Sequence, residues 1–217
     1  GWCLGEWSTP HNRIEIPASL VNTAYFYHVT CIMADVAGIL NKKDDEHHLC
    51  TLAETIRKNF NAAFYNEETH HYGEGKQGAD VFALAFGLVP EGKREKVFAA
   101  LLGHLEKVNY HFDTGILTTP LLLQVLTENG RADLAYKLMN QRDFPSYGYL
   151  ADKENNTLWE TWNGDGNDEG CGHCHPMFGS VVAWFYHSLA GIKPDQSDPG
   201  MKHFYIEPMI VPDLKYC

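Results

Sequence analysis

Apolar residues along this chain recur mostly at steps of three and four, the spacing of one face of an α-helix. From Pro17 to about Leu40 an apolar run continues without a turn signal, opened by proline at a first-turn position. Asp44 is placed to cap the next helix, on which Leu49, Leu52, Ala53, Ile56, Phe60 and Ala63 share a face. A third run covers about Asp80 to Leu88 and stops at Pro90. A fourth, about Lys93 to Val108, aligns Val97, Phe98, Leu101, Leu105 and Val108. A fifth, about Thr119 to Thr127, ends at Asn129-Gly130, a C-cap signal. A sixth follows at once, Ala132 to Met139. The seventh, about Pro176 to Ala190, is apolar nearly all round, which predicts a buried helix.

The links within pairs are short: Asn41 to Lys43, Val89 to Gly92, Asn129 to Arg131. Short links make antiparallel helical hairpins. Three hairpins and a buried helix predict an all-α protein, an α/α solenoid or toroid, over residues 1–192. Strand patterns are confined to the end. Phe204-Tyr205-Ile206 and Met209-Ile210-Val211 read as the first strands of a β domain within 193–217. Between about Arg142 and Cys174 no helical period is visible. Segments that long are functional or disordered. Disordered ones are poor in aromatics, whereas this one carries Phe144, Tyr147, Tyr149, Trp159 and Trp162. The expectation is an ordered functional loop.

Composition narrows the partners. Asp and Glu outnumber Lys and Arg by 28 to 17, a formal net charge of −11. Phosphate binding needs clustered cations, so nucleic acid and anionic membranes are poor partners and a neutral substrate is compatible. Aromatics make up 12%, which suits the apolar faces of sugar rings and equally suits a large core. The six cysteines, at 3, 31, 50, 171, 174 and 217, do not have the spacing of a small disulfide scaffold. The chain opens on Gly1-Trp2-Cys3 rather than Met, as an excised piece would.

The sharpest chemical feature is Thr157-Leu158-Trp159-Glu160-Thr161-Trp162-Asn163-Gly164, a carboxylate between two tryptophans in a polar loop. Glycoside hydrolysis needs two carboxyl groups, one to protonate the leaving oxygen and one to activate water or attack carbon. Aromatic neighbours desolvate a carboxylate and favour such a role. The same pattern would arise if the tryptophans docked on the core and Glu160 faced water. A second feature is Gly172-His173-Cys174-His175 before the seventh helix, where His175 could bind a hydroxyl or cap the helix. Cys171 to His175 also matches C-x-x-C-H, the attachment motif of c-type haem and half of a zinc site. No second ligand pair is suitably spaced, so no metal and no cofactor is expected; a Cys171–Cys174 disulfide is the alternative.

These motifs resemble the α-L-rhamnosidases of glycoside hydrolase family 78. Trp159 to Gly164 are similar to the family's Trp-Glu-Arg-Trp-Asp-Gly, differing at Thr161 and Asn163. His175 to Val181 follow its Asn-His, two residues, Phe-Gly-Ser-Val, with Cys174 in place of Asn. Pro145-Ser146-Tyr147-Gly148-Tyr149 resembles its Pro-Ser-Trp-Gly-Tyr, Asp113-Thr114-Gly115 its Thr-Thr-Gly, Val125 to Gly130 its Leu-x-x-x-Gly, and Gly5-Glu6-Trp7 its Gly-Asp-Trp. The resemblance implies a six-hairpin α/α toroid of twelve helices and an inverting, exo-acting cleavage of terminal α-L-rhamnose. The substrate would be a rhamnose-containing glycoside or polysaccharide, compatible with a periplasmic or secreted parent protein. Glu160 would be the general base. Trp159, Trp162 and Tyr147 would shape the sugar pocket, His175 would bind a hydroxyl, and Trp7 would lie near the pocket floor. The family's general acid sits in an Arg-x-Glu-Arg-x-Gly-Trp segment upstream of Gly-Asp-Trp, which this chain lacks. The chain is therefore expected to be the C-terminal part of the catalytic domain, needing the upstream part of its polypeptide. A non-catalytic carbohydrate-binding α/α protein is the alternative.

Overall fold

A computed structural model of the chain describes residues 5–10, 16–153, 157–163, 172–195, 197–198, 200–211 and 214. They belong to two compact units, Gly1–Trp7 with Arg13–Lys107, and Ser8–Asn12 with Val108–Cys217.

The first unit is two helical hairpins. Helix α1, Ala18–Ile39, follows Pro17, whose extended backbone (φ −55°, ψ 130°) sets the entry, and packs along α2, Lys43–Phe64. Asp44 does not cap α2: Lys42 holds the cap position, and Asp44, Asp45 and Glu46 fill the first turn, where carboxylates face the positive end of the helix dipole. The second hairpin pairs α3, Gln77–Ala85, with α4, Arg94–Lys107. α3 starts earlier than its apolar pattern indicates, because Gln77, Gly78 and Ala79 are buried as deeply as the apolar residues after them. Its buried Asp80 ties the preceding loop down. His71 Nδ1–H donates to Oδ2 at 2.6 Å, and the Tyr72 N–H donates to Oδ1 at 2.8 Å. Burial pushes the Asp80 carboxyl up, against the pull of these donors.

The second unit opens with the hairpin α5, Thr119–Glu128, and α6, Ala132–Met139, turned at Asn129 and Gly130. The segment read as loop contains a short helix, α7, Tyr147–Asp152. The Tyr149 N–H donates to the Ser146 hydroxyl at 3.0 Å, an N-cap that initiates one turn and a half. The seventh predicted helix is present but mixed: a 3₁₀ turn at Phe178–Val181, α8 at Val182–Trp184, and a π turn at Phe185–Leu189. It is not buried all round as expected, since Val182, Phe185 and Tyr186 are exposed. The strands β1, Ile192–Pro194, and β2, Phe204–Ile206, pair antiparallel, with Ile192 opposite Ile206. Met209 to Val211 form no strand; the Met209 N–H instead donates to the Leu189 carbonyl at 3.0 Å.

Candidate active site

Glu160 lies on the segment 157–163, which is clasped to 172–175. The Glu160 N–H donates to the Gly172 carbonyl (2.9 Å), and the His175 N–H donates to the Leu158 carbonyl (2.8 Å). The Thr157 hydroxyl donates to the His173 carbonyl. Gly172 answers on the side-chain level: its N–H donates to Glu160 Oε2 at 2.7 Å. A Cβ on Gly172 would lie 3.3 Å from that oxygen, so glycine lets the backbone amide come close to the carboxylate. The result is a half-exposed carboxylate with one oxygen fixed by a main-chain donor.

The two flanking tryptophans have opposite settings. Trp159 is half-exposed and stacks face to face on the exposed His173, centroids 4.0 Å apart and planes 8° off parallel. Trp162 is 1% exposed. It stacks on Phe112 (5.2 Å, 15°), meets Tyr147 edge-on (5.3 Å) and touches Phe178 (4.5 Å). Its indole N–H donates to the Thr114 carbonyl at 3.0 Å. An indole so enclosed cannot face a sugar, so the expected pocket role is corrected to that of a support beneath the Glu160 segment. Tyr147, half-buried, packs against that indole. Its hydroxyl donates to the Phe178 carbonyl at 2.8 Å, and burial pushes it well above the ordinary tyrosine range.

His175 is half-exposed and cap-like: the Met177 N–H points at its Nδ1, 3.4 Å away. That leaves the ring proton on Nε2, as a hydroxyl-binding donor needs. Trp7 belongs to the first unit, 38% exposed. Beside it Glu6 is buried, near enough to Tyr25 to raise that hydroxyl's pKa, behind the larger effect of desolvation. Sequence reasoning misses Phe112, Thr114 and Gly172 as site residues: Asp113-Thr114-Gly115 is visible only as a motif, and nothing local says that its neighbours floor the Glu160 segment. Cys174 carries a free thiol, as do Cys31 and Cys50; Cys171 lies outside the described residues. Among the described residues no three His, Cys, Asp or Glu side chains gather as metal ligands.

Residues 1–189 match the model of the bacterial alpha-L-rhamnosidase 6 hairpin glycosidase domain. The chain belongs to this family. It is 36% identical to an alpha-L-rhamnosidase of Streptomyces avermitilis, over 94% of this chain and 20% of that protein. It is 31% identical to one of Alteromonas sp. (strain LOR), over 99% of this chain and 25% of that protein. Among solved structures, the alpha-L-rhamnosidase of Dictyoglumus thermophilum superposes with TM-score 0.84 at 35% identity, over 89% of this chain and 22% of that one. The Streptomyces avermitilis enzyme complexed with L-rhamnose gives TM-score 0.84 at 34% identity, over 95% and 20%. The six-hairpin glycosidase fold expected from the sequence is thus shown, and the chain spans about a fifth to a quarter of the length of these relatives.

Proposed function

We propose that the polypeptide containing this chain is an inverting exo-α-L-rhamnosidase and that Glu160 is its general base. The observation that carries this is the fixed carboxylate: Glu160 Oε2 held at 2.7 Å by the Gly172 N–H, on a segment locked by the buried Trp162. In the proposed reaction Glu160 takes a proton from water as the water oxygen bonds to the anomeric carbon. The bond from that carbon to the leaving oxygen breaks on the opposite face, and a carboxylic acid about 6.5–9.5 Å from the base protonates the departing oxygen. That acid belongs to the upstream part of the polypeptide. Trp159 offers a half-exposed apolar face to the sugar, and His175 a hydroxyl contact through Nε2–H.

The chain alone supplies the base without the acid, so it is inactive by itself. The test compares the 217-residue chain with a longer polypeptide that also carries the upstream hairpins, on an aryl α-L-rhamnoside. The anomeric proton of released rhamnose is followed by NMR. Turnover by the longer polypeptide alone, with β-L-rhamnose appearing first, is expected. Equal turnover by the short chain, or α-L-rhamnose as first product, refutes the half-site or the inverting mechanism respectively. Binding without turnover by the longer polypeptide supports a carbohydrate-binding protein instead.

A further inference from the structure

His111 is 9% exposed, and both of its ring nitrogens face oxygen acceptors. Nδ1 lies 3.2 Å from the Val108 carbonyl, and Nε2 lies 2.9 Å from Asp143 Oδ1. A carbonyl and a carboxylate only accept, so both contacts are made together only when both nitrogens carry hydrogen. The Asp143 carboxyl responds, held below its ordinary range chiefly by its bond to His111.

The contact joins two segments that grip the same tryptophan. On the His111 side, the next residue, Phe112, stacks on Trp162, and the Thr114 carbonyl accepts its indole N–H. On the Asp143 side, Tyr147 meets Trp162 edge-on. The turn before His111 is strained: Asn109 and Tyr110 both sit in the left-handed region, φ 52° and 58°. The Gln141 amide braces their carbonyls, at 3.2 Å from each. A turn in that conformation depends on such outside ties.

We propose that His111 is a positioning residue for the Glu160 segment: as imidazolium it ties residues 108–114 to Asp143 and holds the aromatic floor under Trp162. The consequence for turnover rests on the rhamnosidase reading of Glu160. Tyr110 lies under Lys137 Nζ, 3.4 Å from its ring centroid, Arg142 pairs with Asp152, the Tyr147 hydroxyl is turned to Phe178, and Asp113 stands two residues along. When His111 is neutral, one bare nitrogen faces an oxygen and the tie loosens. Asp143→Asn offers an amide N–H to that bare nitrogen, so its tie persists in the neutral state. Asp143 is exposed and asparagine matches its shape, so this variant folds.

The experiment measures kcat and KM of the longer polypeptide and its Asp143→Asn variant from about pH 5.5 to about pH 8.5. The titration of the general acid is common to both and cancels in their ratio. The ratio of kcat, variant over parent, should rise roughly threefold or more toward alkaline pH, with KM alike. A flat ratio, or a change confined to KM, overturns the proposal. The floor is read without substrate by near-UV circular dichroism in a Trp159→Phe background, which removes the indole stacked on His173. Over the same range the parent signal should shift and that of Asp143→Asn should not; a parent signal independent of pH also overturns the tie. If the longer polypeptide cleaves no aryl rhamnoside, the function fails, while the dichroism still decides the tie.

Discussion

Replacing the Glu160 carboxylate by an amide keeps an acceptor for the Gly172 N–H and removes the base. In the longer polypeptide Glu160→Gln should therefore lower kcat by roughly 10²–10⁴ while substrate affinity changes little. Turnover close to that of the parent would show that another group activates the water. The sequence marked Glu160 because a carboxylate between two tryptophans in a polar loop is unusual. It could not separate the tryptophans. Trp159 and Trp162 look alike by spacing, and only Phe112, Tyr147 and Phe178, from three other segments, decide that Trp162 is enclosed. His175 is legible as both cap and binder, and its two nitrogens allow both: Nδ1 faces the Met177 N–H, leaving Nε2 for a hydroxyl.

At the scale of elements, periodicity located what was long and self-consistent. Helix α6 matches its sequence reading at both ends, because Asn129-Gly130 closes one helix just before Ala132 opens the next. Helix α7 was invisible: six residues hold too few turns to show a period, and its stability comes from the Ser146 cap and from packing. Strand β1 was missed for a related reason, since Ile-Lys-Pro has neither alternation nor length. Gly148, on α7, is a point where packing alone dictates the residue. A Cβ there would lie 2.4 Å from the Gln141 carbonyl oxygen, a backbone atom that cannot rotate away. Gly148→Ala should destabilise the longer polypeptide by about 2 kcal/mol and reduce kcat, because α7 carries Tyr147. An unchanged thermal midpoint would show that the 141–148 turn has room to shift.

For the whole molecule, the apolar pattern of α1 and the buried surface disagree. Phe26, Val29, Met33, Val36 and Ile39 recur at helical spacing on one face and are exposed, Ile39 at 83%. In the second unit a cavity of about 880 Å³ opens between α5, the 178–189 helix and the C-terminal segment, lined by Leu121, Trp184, Met209 and Ile210 among others. Exposed apolar surface of this extent is a contact surface. The chain spans a fifth to a quarter of the length of its relatives. Alone it should self-associate, which light scattering would detect. Phe26→Glu with Ile39→Lys should lower the associated fraction without loss of helical ellipticity, and a parent chain that remains monomeric would count against this reading. No helix among the described residues is long and apolar enough to cross a membrane.

The face-to-face contact of Trp159 with His173 gives the clasp a built-in optical signal. An imidazole stacked on an indole quenches its emission, and these rings are 4.0 Å apart. His173→Ala should therefore brighten the fluorescence of Trp159. Sugar entering over the indole should brighten it, so occupancy of the site beside Glu160 can be followed in unlabelled protein. Emission that ignores both the substitution and sugar would place the two rings apart in solution.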